Sequence, residues 1–192
     1  MRTISEILKE DRTCYKFLSA PVDIKLLHEI YDQVKFGPTS ANGCPLRILF
    51  CSSKESREKI LTTLSPGNVD HTKSAPVTAI MAYDTQFFNH MDKLFGHNPG
   101  MKTMFANNVV VSEQVAVTNA WLQVGYFILA ARGMGLDCGP MGGFNKDMVN
   151  ELFLSGTTWK SIVLCNLGLK DTSNPDLPRL PRLDFDEACR VI

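Results

Sequence analysis

One stretch, Asn107 to Phe144, constrains the fold more than any other. It reads NNVVVSEQVAVTNAWLQVGYFILAARGMGLDCGPMGGF. Val117, Trp121, Val124, Ile128 and Ala131 recur at spacings of three and four, the period of one helix face. Val124 to Ala131 is apolar almost all round, which predicts a segment buried on every side. Ser112 reads as the N-cap region, and Gly133 and Gly135 stop the helix, because glycine accepts the left-handed cap. The chain then runs Leu136-Asp137-Cys138 and breaks at Gly139-Pro140-Met141-Gly142-Gly143. Two adjacent glycines leave the backbone bare of Cβ. Such a pair serves as a turn, or lets a flat or charged group approach the backbone N–H groups closely.

A chain of 192 residues with zero formal net charge and 44% hydrophobic content fits one domain with a substantial core. The balanced charge and the lack of a basic block argue against nucleic acid as a partner. The opening MRTISEILKEDR has no apolar core of signal-peptide length. The apolar run near Val124–Ala131 falls short of the roughly 20 residues a membrane span needs. Cysteines at 14, 44, 51, 138, 165 and 189 form no Cys-x-x-Cys pair. Free buried thiols in a reducing cytoplasm are the expectation, and no His/Cys cluster has the spacing of a metal site.

Taken in order, residues 3–9 predict a short helix with Ile4, Ile7 and Leu8 inward. Asp23 to Val34 predicts a second, with Ile24, Leu27, Ile30 or Tyr31, and Val34 on one side. Arg47–Cys51 reads as a strand, and Ser52-x-x-Glu55 as a capping box for a helix over 53–64. Ser65-Pro66-Gly67-Asn68 reads as a turn, and Ala75–Tyr83 as a buried central strand. Asn145 should cap a helix over 146–154 with Val149, Leu152 and Phe153 inward, and Trp159–Leu167 gives another strand. Residues 84–106 are the least regular part. Their phenylalanines, methionines and two histidines, set between glycine and proline breakers, suggest a lid or pocket wall, or local packing.

Candidate chemistry lies between these elements. In Asp11–Phe17, Arg12 and Lys16 flank Thr13 and could grip an anion, or could form a solvated turn. Gly37–Arg47 is long and polar, stiffened by Pro38 and Pro45, with Thr39, Ser40 and Asn42 as short hydrogen-bonding side chains. The segment Asn174–Leu183, with its three prolines and with Arg179 and Arg182, reads as an extended basic tail.

Together, the Arg12-Thr13 turn, the Pro38–Asn42 loop, the Gly139–Phe144 loop and the Arg179–Arg182 run resemble the flavin-dependent nitroreductase family. Their order and spacing span almost the whole chain. Gly37–Asn42 (GPTSAN), Ala75–Asp84 (APVTAIMAYD), Gly135–Met141 (GLDCGPM) and Leu180–Leu183 (LPRL) carry a closer resemblance to its malonic semialdehyde reductase type. The resemblance implies one α+β domain over residues 1–192, an α/β sandwich with a mainly antiparallel central sheet. Two subunits would interlock as a homodimer around the long central helix, with FMN in the interface.

Carried over, Arg12 and Thr13 meet the FMN phosphate with Arg182 and Arg179, and the 172–192 extension completes the site. Pro38, Thr39, Ser40 and Asn42 come from the partner chain, and Asn68 bonds the ring edge. Pro140, Met141, Gly142 and Gly143 lie along the isoalloxazine, with a backbone N–H of Gly142 or Gly143 near N5. The implied activity is hydride transfer from NADH or NADPH to a small carbonyl, nitro or quinone compound, with no protein nucleophile or metal. The alternative is a flavin-binding dimeric protein without turnover. The sequence departs from the family pattern at Tyr15, where many relatives have a basic residue that only Lys16 could replace, and at Cys44, where many have glutamine. No Gly-x-Gly-x-x-Gly follows a strand, which excludes the usual dinucleotide domain.

Overall fold

The computed structural model describes residues 2–173 and 178–192. Its centre is a four-stranded antiparallel sheet in the order β1-β2-β4-β3. The strands are β1 (Leu46–Cys51), β2 (Val77–Asp84), β3 (Asp137–Met141) and β4 (Trp159–Gly168). Every residue of β2 is buried, which is why its sequence shows an unbroken apolar run and no alternation. The period of two is still there. Ala79, Met81 and Tyr83 enter one core and Ile80 and Ala82 the other.

The first core lies under α2 (Ile24–Val34) and α7 (Val109–Gly133). The second lies under α3 (Lys54–Leu61) and α8 (Lys146–Phe153). Asn145 caps α8 as expected, accepting from the Met148 N–H at 3.0 Å.

The long helix departs from the sequence reading in its start and its inward face. Asn108, not Ser112, is the cap, accepting from the Val111 N–H at 3.2 Å. Ala116, Ala120, Val124, Phe127 and Ala131 are buried, whereas Trp121 is 47% exposed. Alanines face inward because a small side chain lets the helix axis approach the sheet. Within Val124–Ala131, Gly125 is exposed and Tyr126 and Ile128 are half-buried, so this segment is not covered on every side by its own chain. An apolar strip that includes Val110, Trp121 and Leu122 lies outward.

Other expectations are corrected in the same way. Ile4, Leu8 and Ile24 are exposed. Ile7 alone is buried in α1 (Ile4–Glu10), and Leu27, Ile30 and Val34 fill the inner face of α2. Ser53, not Ser52, caps α3, through the Ser56 N–H at 3.1 Å. Ser65–Asn68 is not a free turn but opens α4 (Pro66–Ser74), with Pro66 in its first turn, where its missing N–H costs nothing.

Gly139 and Pro140 lie inside β3, not in a loop. Among the described residues β3 pairs only with β4, and an edge strand tolerates proline. The 84–106 segment folds into a 3-10 turn (Phe87–His90), α5 (Met91–Leu94) and α6 (Gly100–Asn107). Phe87, Met91 and Phe105 anchor it in the core, with the Phe87 and Phe105 rings edge-on at 5.1 Å. The C-terminal segment ends with α9 (Phe185–Ala188). Asn174–Leu177 of the predicted tail lie outside the described residues. Among the described residues, no helix is long and apolar enough to cross a membrane.

Candidate functional site

The Asp11–Cys14 turn is fixed by its backbone. The Cys14 N–H donates to the Cys138 carbonyl of β3 at 2.9 Å. Arg132, in the last turn of α7, donates from Nη2 to the Arg12 carbonyl at 3.0 Å, and Arg179 donates from Nη2 to the Asp11 carbonyl at 3.0 Å. Above this turn opens a cleft of about 740 Å³. It gathers Arg12, Thr13, Lys16, Arg179 and Arg182, all expected from the sequence, together with Arg132 and Lys170, which were not.

The electrostatics of the cleft favour an anion. Arg182 donates from Nη1 to the Leu180 and Pro181 carbonyls, each at 3.0 Å. The Arg12 guanidinium has no partner among the described residues. Arginines oriented by neutral carbonyls keep their full charge, and a planar fork suits a phosphate. Lys16 is held 3.1 Å from Asp171. The Asp171 carboxyl is held down to about 2, first by the Ser173 backbone N–H and then by the Ser173 side chain and Lys16.

Tyr15, which lines the cleft, packs against α4. The rings of Tyr15 and His71 lie 4.9 Å apart, and His71 Nδ1 is 3.0 Å from the Tyr15 carbonyl. One turn earlier, Asn68 donates from Nδ2 to the Gly143 carbonyl at 2.9 Å, and the Ser65 N–H donates to the same carbonyl at 3.0 Å. Thr72 donates to the Met141 sulfur at 3.6 Å. The two glycines have different reasons to be glycine. A Cβ on Gly143 would lie 2.6 Å from Asn68 Nδ2, whereas one on Gly142 would meet nothing within 4 Å. A side chain at Gly143 would have to displace the Asn68 amide, whereas Gly142 is bare toward open space.

The Pro38–Asn42 loop is built elsewhere. The Ser40 N–H donates to Asn119 Oδ1 at 2.8 Å, Tyr126 donates to the Pro38 carbonyl at 3.1 Å, and Asn42 Nδ2 donates to the Leu94 carbonyl at 2.9 Å. Ala41, Asn42 and Cys44 all have positive φ, at 50°, 50° and 42°. Each is a conformation that costs about 1–2 kcal/mol for a residue with a Cβ. Pro38, Thr39, Ser40 and Asn42 are thus held against α7 and the 87–94 turn, and none of them lines the cleft.

A second groove, of about 690 Å³, runs over β1 and takes in Cys44, Phe50 and Trp159. Its arginine, Arg47, is already committed to Asp84 at 2.8 Å. Lys93 also lines this groove, but the cluster of arginines lies at the first cleft, which makes that cleft the candidate site.

Comparison with known proteins shows the family. The sequence profile of the Nitroreductase family matches residues 8–169. The chain belongs to the nitroreductase family. It is 46% identical over 189 residues to a protein of Ralstonia nicotianae provisionally named NADH dehydrogenase/NAD(P)H nitroreductase RSc1004, covering 98% of this chain and 96% of that one. It is 43% identical over 190 residues to a similarly named protein of Cupriavidus pinatubonensis, covering 98% and 96%.

Among solved structures, the nitroreductase fold is shared with a provisionally assigned nitroreductase of Exiguobacterium sibiricum solved in complex with FMN. The TM-score is 0.88 at 18% identity, over 100% of this chain and 98% of that one. That likeness speaks for the fold alone. Within this nitroreductase, Arg132 and Lys170 line the cleft and His71 lies against Tyr15, and sequence reasoning singled out none of the three. Arg132 has only a C-terminal cation signature in the sequence, and nothing local points it at a turn 120 residues away.

Proposed function

We propose that this nitroreductase is a homodimeric FMN enzyme that accepts electrons from NADH or NADPH and reduces a small carbonyl, nitro or quinone compound. The observation that carries this reading is the cationic cleft together with the series of contacts that leads from it toward the bare Gly142 backbone, Tyr15 against His71 and Asn68 onto Gly143. A phosphate fits the first part and a flat ring the second. FMN, when bound, supplies a ring that takes up and gives up a hydride. Arg12, Thr13, Lys16, Arg179 and Arg182 bind its phosphate. Asn68, whose Nδ2 is spent on Gly143, offers Oδ1 to the ring edge. Pro140, Met141, Gly142 and Gly143 line the ring with their backbone.

The outward strip of α7 at Val110, Trp121 and Leu122 is the dimer face. A partner seated there contributes Pro38, Thr39, Ser40 and Asn42, which one chain holds apart from its own cleft. The segment 84–106, anchored by Phe87, Met91 and Phe105, forms a wall of the substrate pocket. Six cysteines without a disulfide support a reducing cytoplasm. The GPTSAN, GLDCGPM and LPRL phrases favour malonic semialdehyde as the carbonyl substrate.

The test is anaerobic reduction of the FMN-loaded dimer by NADH and by NADPH, followed by acceptors. Bleaching, and reoxidation by malonic semialdehyde faster than by a nitroaromatic or a quinone, is expected. Turnover of the nitroaromatic and quinone with none of the semialdehyde would remove the narrower substrate. A loaded flavin that neither nucleotide bleaches would remove the enzymatic reading.

A further inference from the structure

The last turn of α7 holds a cation that none of the site's recognised segments contains. Arg132 is half-buried and lines the cleft beside Arg12 and Thr13. Its Nη2 donates to the Arg12 carbonyl at 3.0 Å, and its Nε is buried with no hydrogen-bond partner among the described residues. A buried guanidinium N–H left unpaired is costly, so such a residue is seldom kept for stability alone.

The geometry of the turn gives the cost a purpose. The Asp11 carbonyl is held by Arg179, the Arg12 carbonyl by Arg132, and the Cys14 N–H by the Cys138 carbonyl. Of these clamps, Arg132 acts on the peptide that carries the unpartnered Arg12 side chain. It does so from the C-terminal end of a 25-residue helix, where the helix dipole favours a cation.

We infer that Arg132 is the positioning residue of the phosphate site: it sets the Arg12 turn and places a fixed positive charge at the floor of the cleft. This rests on the FMN reading above. FMN and riboflavin share the ring and ribityl chain and differ only in the phosphate, so a residue acting at the phosphate end separates the two ligands.

The experiment compares wild-type dimer, Arg132→Gln and Arg132→Lys, each stripped of flavin. FMN and riboflavin are titrated by quenching of flavin fluorescence, and the apoprotein melting temperature is recorded. The inference predicts that Arg132→Gln weakens FMN about tenfold or more, leaves riboflavin unchanged, and that Arg132→Lys recovers much of the FMN affinity. Equal loss of both flavins, as a general loss of folding would give, or no loss of either, overturns it while leaving the FMN reading intact. Wild-type protein that takes up neither flavin overturns the FMN reading, and this inference with it.

Discussion

Asn68 and Gly143 are joined by a 2.9 Å hydrogen bond from the Asn68 amide to the glycine carbonyl, and a Cβ on Gly143 would lie 2.6 Å from that same amide nitrogen. The first turn of α4 and the chain leaving β3 are therefore one rigid unit. Gly142, immediately before it, carries its bare side on a firm support. The adjacent glycines can be separated by mutation. Gly143→Ala should displace the Asn68 amide, break its bond and cost about 1–2 kcal/mol. For a chain of this size that lowers Tm by about 2–8 °C, read by thermal denaturation. Gly142→Val should melt as the parent does yet purify with little flavin. Normal flavin content in that variant would remove Gly142 from the ring site.

Removing a cation from the cleft should act on the phosphate alone. A charge-assisted hydrogen bond is worth roughly 1.5–3 kcal/mol, so Arg12→Ala and Arg182→Ala should each weaken FMN retention by about tenfold or more. Dialysis against flavin-free buffer followed by absorbance checks this. Unchanged retention in Arg182→Ala would move the phosphate away from the C-terminal segment.

The strands are tied at one end by a pair outside the proposed site. Asp84, 4% exposed, accepts from Arg47 Nη2 at 2.8 Å, from Thr158 Oγ1 at 2.6 Å and from the Gln86 N–H at 2.9 Å. Arg47→Met leaves that buried carboxylate without its cation and should cost about 3 kcal/mol. Urea denaturation measures the loss, and FMN affinity should stay at the parental value.

The thiols give a pH-dependent prediction. Burial pushes Cys14 and Cys51 up to about 11 from an ordinary 9.0. The unfolded chain therefore releases these protons near pH 9, while the native state keeps them until about pH 11. The native state binds more protons across that window, so its stability is full below pH 9 and falls as the pH rises toward 11. Denaturation midpoints at pH 8 and pH 11 test the sign, and Cys51→Ala should flatten the change. At pH 8 a thiol reagent should label exposed Cys189 first, and buried Cys14, Cys51, Cys138 and Cys165 only on unfolding.

The sequence made the frame legible where burial is one-sided or complete. β2 reads directly because every residue is covered, and α8 because Asn145 caps it and its apolar residues recur at helical spacing. The long helix was legible as a helix but only in part in its inward face, since Val124 and Ala131 are buried while Trp121 is exposed. Val117 and Trp121 keep the period as well as Ala116 and Ala120 do, and only the sheet decides which row it packs. Pro66 looked like a turn residue because the first turn of a helix and a turn accept proline equally. Pro140 hid β3, since tolerance of proline depends on being an edge strand, which is a tertiary fact. The cleft was half legible: Arg12, Lys16, Arg179 and Arg182 are gathered as expected, but Arg132 reaches Arg12 only through the packing of α1 and α7.

The central claim is that the cationic cleft and the bare glycine backbone hold FMN. The most direct measurement is the visible spectrum of the freshly purified protein, followed by that of the supernatant after heat denaturation. The account predicts a yellow protein with flavin absorbance that releases FMN, and no other flavin, into the supernatant. A colourless protein that also fails to take up added FMN would contradict it.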